Sequence, residues 1–133
     1  MKEVSTVTNE QAGAGGTPGV AIPEHLQPFL REVIQDSLMR YDILRFFHEN
    51  PYAILTISDL SVWVSREERP LAAALQQLAG LGYLSQSYAS SAYTLTDDQE
   101  KRRRMDEFFG YMAAHPEVMR ELRARLRRRV EVD

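Results

Sequence analysis

Apolar residues recur at helical spacing through most of this chain and alternate only briefly in its middle. Leu26, Phe29, Leu30, Val33 and Ile34 repeat at three- and four-residue intervals, which predicts a leading helix with one buried face. Met39, Ile43, Leu44 and Phe47 make a second stripe. Asp36 or Ser37 suits its N-cap, because a short side-chain oxygen accepts a free N–H of the first turn. Asn50-Pro51 stops it. Residues 53–57 are apolar and rich in branched side chains, so they predict a short strand. Ser58 then caps a helix over 59–64, with Asp59 near the positive end of the dipole. Ser65-Arg66-Glu67-Glu68 makes a turn. The next helix runs over 69–81, opens on Pro70 and buries Leu71, Leu75 and Leu78, with Leu81 at the margin. Gly82 ends it, as a residue free to take positive φ.

Beyond Gly82 the period changes. Residues 83–88 and 92–95 read as strands, and Ala89-Ser90-Ser91 between them has the length of a hairpin loop. Thr96 or Asp97 caps a further helix striped by Met105, Phe108, Phe109 and Met112. His115 closes it, and Pro116 opens a last helix lined by Val118, Met119, Leu122, Leu126 and Val130. Ahead of all this, residues 1–20 are small and polar and end in a glycine-rich run. Glycine maximises the entropy lost on ordering, so 1–22 reads as a flexible arm. The fold class expected is mainly α with a small antiparallel β hairpin (α+β). It divides into the arm (1–22), a core domain with its leading helix (23–97) and a C-terminal helical extension (98–133).

A chain of 133 residues, 44% hydrophobic and 26% charged, has the length and composition of one globular domain. It lacks cysteine, which excludes disulfides, cysteine-ligated zinc and a thiol nucleophile. Lys2 is followed by no apolar run, so no secretory signal is expected, and no stretch is apolar enough to span a bilayer. The expected location is the cytoplasm, with no membrane partner. Net charge is −3. Residues 1–35 hold two bases and four acids, residues 36–97 four bases and seven acids, and residues 98–133 ten bases and eight acids. The core is therefore acidic, and the basic charge lies in the C-terminal extension.

Four pieces of sequence carry a resemblance: Tyr41-Asp42-Ile43-Leu44, Thr56-Ile57-Ser58-Asp59-Leu60, residues 71–78, and Leu81-Gly82-Tyr83-Leu84. In the order helix, short strand, helix, turn, helix, hairpin, they resemble the winged helix-turn-helix transcription regulators of MarR, ArsR and PadR type. The most telling piece is the final Leu-Gly-Tyr-Leu after a leucine-striped helix. The resemblance covers about half the chain and is a pattern of apolar positions. It implies a tight helix crossing at Ser61 and Ala74, and a hairpin whose Leu84 and Leu95 cover the helices.

The resemblance also implies a function, a transcription regulator reading duplex DNA with the helix 69–81 and the wing 84–95. The positions it exposes are Arg66, Arg69, Ala72, Ala73, Gln76 and Gln77, with Tyr88 and Ser90 on the wing. The arginines suit phosphate or a guanine edge, and the glutamines an adenine edge. The plainer reading is a solvated helix face. Glu67 and Glu68 stand where phosphates would lie, and the wing lacks Arg and Lys. A protein-interaction module without DNA binding is therefore the alternative.

Val62 and Trp63 face outward in the family register. Trp63 offers a contact surface, or else packs on the N-terminal helix or the tail. The run Lys101-Arg102-Arg103-Arg104 and the arginines of the last helix offer phosphate contacts. The plainer reading is solvated, ion-paired faces, for example Glu121 with Arg125. Phe108, Met112, Val118, Leu122 and Leu126 suit a homodimer interface, because related regulators often dimerise through flanking helices; the alternative is that this stripe folds back onto the core. His25, His48 and His115 are scattered without spaced ligand partners, so no metal or cofactor is implied. Adjacent acids such as Glu67-Glu68 and Asp97-Asp98 face different ways on a helix, so catalysis is not expected.

Overall fold

The computed structural model describes the backbone of residues 22–132 and the side chains of 22–128. The arm expected over 1–22 thus lies outside the described residues, except for Ile22, which is buried and belongs to the core. Among the described residues the chain is mainly helical with one two-stranded antiparallel sheet.

The leading helix, α1, is a continuous run over 24–34. It has a 3-10 turn (Glu24–Leu26), an α turn (Gln27–Phe29) and a wider π turn (Leu30–Ile34). Gln35 and Asp36 both take positive φ, and the chain turns sharply into α2 (Leu38–Glu49). Ser37 is its cap: the hydroxyl accepts the N–H of Arg40 at 3.1 Å. Asn50 closes α2, its side-chain amide donating to the Phe46 carbonyl at 3.0 Å.

The strand expected over 53–57 shrinks to one bridge, in which Leu55 and Tyr93 exchange backbone hydrogen bonds of 3.1 and 2.8 Å. The reason is the next cap. Thr56, not Ser58, starts helix α3 (Ile57–Val64): its hydroxyl accepts the N–H of Asp59 at 3.2 Å, and the Asp59 carboxylate accepts the N–H of Thr56. This reciprocal capping box satisfies two first-turn donors and pulls residues 56 and 57 out of any strand. Helix α4 (Glu68–Gly80) likewise begins two residues before Pro70. A proline in the first turn costs nothing there, since those N–H groups lack helical acceptors anyway.

Gly82 has φ +87°, the reversal that sends the chain into the hairpin of β1 (Leu84–Gln86) and β2 (Tyr93–Leu95). Leu84 pairs with Leu95 and Gln86 with Tyr93. Leu84 and Leu95 are buried against the helices. Helix α5 (Gln99–Ala114) is capped by Asp98 rather than Thr96 or Asp97, its carboxylate accepting the N–H of Lys101 at 3.0 Å. His115 separates it from α6 (Pro116–Val132).

The two C-terminal helices complete the core rather than extend from it. Phe108 and Phe109 of α5 enter an aromatic cluster with Phe29 of α1 and Tyr41 of α2, at centroid distances of 4.9 to 6.2 Å. Phe108, Met112, Val118, Leu122 and Leu126, named above as a dimer interface, are all buried within the single chain. The stripe folds back because the small helical core leaves Phe29, Tyr41 and Phe47 in need of cover. Burying one such side chain is worth about 2 kcal/mol. Val130 lies outside the described side chains.

Candidate macromolecule-binding face

Helix α4 turns Leu71, Ala74, Leu75 and Leu78 inward. Its other side stays open: Arg69, Ala73, Gln76 and Gln77 are exposed, and Ala72 is half-buried. Ala74 is buried on the inward side of α4, and the Ser61 hydroxyl donates to the Arg66 carbonyl across the turn between α3 and α4. Ser65 takes positive φ in that turn. Ser87 to Ser91 form the hairpin loop, in which Tyr88 is fully exposed and Ser90 is exposed.

Two of the side chains expected to reach outward are committed inside the domain. Arg66 donates to one carboxylate oxygen of Asp42 on α2, while Arg123 of α6 donates to the other. Asp42 is only 14% exposed, so this three-residue bridge ties the turn, α2 and α6 together in a partly dry setting. On the other flank, Arg40 of α2 is buried and donates to the Val33 carbonyl at 2.9 Å and to the Gln77 amide oxygen at 2.7 Å. Burial pushes its guanidinium below the ordinary arginine pKa, yet both bonds favour the charged form. Arg40 thus occupies the acceptor that Gln77 needs for a bidentate adenine contact. What remains outward on α4 is Arg69, Ala73 and Gln76, beside exposed Glu67, Glu68 and Asp59. Ser58 donates to Glu68 at 3.2 Å, which holds that carboxylate at the entrance of α4.

Val62 and Trp63 are 78% and 67% exposed. Trp63 does not pack on the N-terminal helix, and its ring contact is with α2: it leans on Phe46 at 6.0 Å and leaves most of the indole in water. Beside it runs a shallow groove of about 260 Å³ lined by Asp42, Arg45, Phe46, Glu49, Trp63, Val64 and Arg123.

The run 101–104 is neutralised locally. Lys101 lies 3.8 Å from Asp98, and Arg102 donates to the Thr96 carbonyl at 2.6 Å. Arg103 bridges Glu100 and Glu107, and Arg104 donates to the Tyr83 hydroxyl at 3.0 Å and to Glu32 at 3.4 Å. Arg125 reaches Asp36 at 3.6 Å, where Glu121 was the expected partner. The outer face of α6 differs. Arg120, Arg127 and Arg128 are exposed, with no ion-pair partner among the described residues.

Two of the three histidines take structural places, while His25 is exposed. His48 lies 3.2 Å from Asp106 and stacks on Phe109, which joins α2 to α5. His115 stacks on Tyr111 with its Nδ1 3.0 Å from the Tyr111 carbonyl. Among the described residues no group of three or more His, Asp or Glu is placed to hold a metal ion, and no helix is long and apolar enough to cross a membrane.

The sequence reading missed Asp42 as a hub and Phe46 as a groove wall. Asp42 carries no local signal, because its partners lie 24 and 81 residues away. Phe46 sits at the edge of the α2 stripe, next to Phe47. No family model matches this chain, and neither does any curated protein or solved structure.

Proposed function

We propose that the chain is a winged-helix module that recognises another protein. The observation that carries this reading is the charge left on the α4 side once the internal pairs are set aside. Arg66 is spent on Asp42, so Arg69 stands alone among Asp59, Glu67 and Glu68, and the hairpin loop is uncharged. Duplex DNA is bound largely by neutralising phosphates, each contact releasing about one counterion. One free arginine beside three carboxylates supplies little of that term. An exposed Trp63 and Val62 on the neighbouring helix supply what protein interfaces use instead, a large apolar and aromatic surface.

A cytoplasmic DNA-binding regulator remains the second reading. It is favoured by the open side of α4, where Arg69, Ala73 and Gln76 are free beside Tyr88 and Ser90, the placement from which winged helices read a major groove. A selection on random duplex DNA at low salt separates the two. The protein-recognition reading expects no enriched sequence, and binding no tighter than the non-specific range of about 10⁻⁴ to 10⁻⁶ M. An enriched sequence, bound by the folded protein and lost in Arg69→Ala, overturns it in favour of DNA.

A further inference from the structure

The groove beside Trp63 joins an ion-paired wall to an unpaired basic strip on α6. Its walls come from three helices: Asp42, Arg45, Phe46 and Glu49 of α2, Trp63 and Val64 of α3, and Arg123 of α6. Arg45 is matched by Glu49 at 3.0 Å. Asp42, however, serves two arginines at once, Arg66 and Arg123. Arg66 stands outside the lining, whose two arginines and two carboxylates balance; counted with it, the ion-paired cluster of Arg45, Arg66 and Arg123 on Asp42 and Glu49 is one positive charge in excess.

The excess continues along α6. Arg120 and Arg127 flank Arg123 about one helical turn to either side, on the same strip of surface. Both are exposed, without an ion-pair partner among the described residues. The one acid of α3, Asp59, lies at the start of its helix, where it caps Thr56, and does not line the groove. The floor between these charges is apolar, formed by the tilted pair Phe46 and Trp63. Arginine and tryptophan are the residues on which binding energy concentrates at protein interfaces.

We infer that this α2–α3–α6 groove is the docking site for an acidic, apolar-anchored segment of a partner protein, with the anchor on Trp63 and Phe46 and carboxylates against Arg120 and Arg127. This deepens the protein-recognition reading and rests on it. A second copy of the chain does not fit, since a two-fold contact would set one arginine strip against the same strip on its mate.

Trp63 is the chain's one tryptophan, so its emission reports on the groove directly. The experiment is a selection of random twelve-residue peptides on the full chain, followed by titration of the enriched peptides against Trp63 fluorescence at two salt concentrations. The expected consensus is an aromatic or branched residue flanked by Asp or Glu. Binding shifts the emission to the blue and weakens as salt rises. Trp63→Ser lowers affinity about thirty-fold, the size of a hot-spot truncation, read by calorimetry because the fluorophore is gone. Arg127→Glu lowers it about ten-fold at low salt and less at high salt. Both positions are exposed, so an unchanged thermal midpoint certifies the fold.

A basic or uncharged consensus overturns the inference. So do acidic peptides whose affinity ignores both variants; in that case protein recognition survives and only the groove is wrong. Enrichment of no peptide, with sequence-selective DNA binding, removes the inference and the reading beneath it together.

Discussion

Helices α4 and α6 bury themselves by the same rule and present opposite faces to solvent. Each drives a stripe of aliphatic residues into the one core, Leu71, Leu75 and Leu78 from α4, Val118, Leu122 and Leu126 from α6. Outward, α4 shows Arg69, Ala73 and Gln76 beside acids, while α6 shows unpaired arginines. An inward stripe therefore tells how a helix is held and nothing about what it meets. The resemblance assigned recognition to α4 because of its place in the chain order. On the proposed reading, the charge left over after folding moves that role toward α6 and its neighbour Trp63.

The strongest test of the comparison is whether the two stripes are equally structural. Leu75→Ala and Leu122→Ala both remove a fully buried side chain from the same cluster. Each is expected to lower unfolding free energy by about 3 kcal/mol, transfer and cavity terms together, measured by urea denaturation. If α6 were an appendage for pairing copies, Leu122→Ala would instead leave the monomer's stability nearly unchanged and alter its sedimentation.

Asp42→Asn sharpens the comparison at the point where the two regions meet. The change leaves Arg66 and Arg123 facing a neutral amide in a setting only 14 to 29% exposed. Stability is expected to fall by about 2 kcal/mol, between the values for exposed and buried pairs. Because the bridge links the α3–α4 turn to α6, hydrogen exchange is expected to rise in both segments. A rise confined to α2 would show that the bridge couples nothing.

The smallest effect lies under Arg123. The Tyr41 hydroxyl is buried without a hydrogen-bond partner, while its ring packs on Phe109 and under Arg123. Tyr41→Phe removes an unsatisfied polar group and keeps the ring, so it is expected to stabilise the chain by about 1 kcal/mol or less, read as a rise in thermal midpoint. A pH signature accompanies it. Burial raises the Tyr41 pKa, the opposing pull of Arg45 and Arg123 being weaker. The unfolded phenol ionises near 10.0 while the folded one holds its proton, so the folded chain binds more protons above that pH and stability falls as pH rises. Tyr83 and Tyr93 are raised by burial too and add to the slope. Tyr41→Phe is expected to flatten the decline above about pH 10; an unchanged slope would assign the loss to the other two tyrosines.

Much of the architecture was readable in one dimension because its causes are local. The stripes of α1, α2, α4, α5 and α6 follow from a period of 3.6 residues. Gly82 marks a turn that needs positive φ, and Ser37 caps within three residues. Errors clustered where two local rules competed: Thr56 and Ser58 both cap well, and only the reciprocal bond with Asp59 favours the former. Arg66 and Gln77 were read as outward for want of any local sign of Asp42 and Arg40, which approach from another helix.

By itself, then, the order of side chains determined which faces leave water and approximately where each helix lies, since burial periodicity acts over a few residues; the exact starts of α3, α4 and α5 fell elsewhere, because several nearby residues can cap. Tertiary structure alone decided which charges remain available to a partner. A guanidinium is neutralised by whatever carboxylate folding brings within reach, and for Arg66 and Arg123 that carboxylate lies 24 and 81 residues away. The same packing determined that Trp63 stands in water beside Phe46 while Phe108 does not.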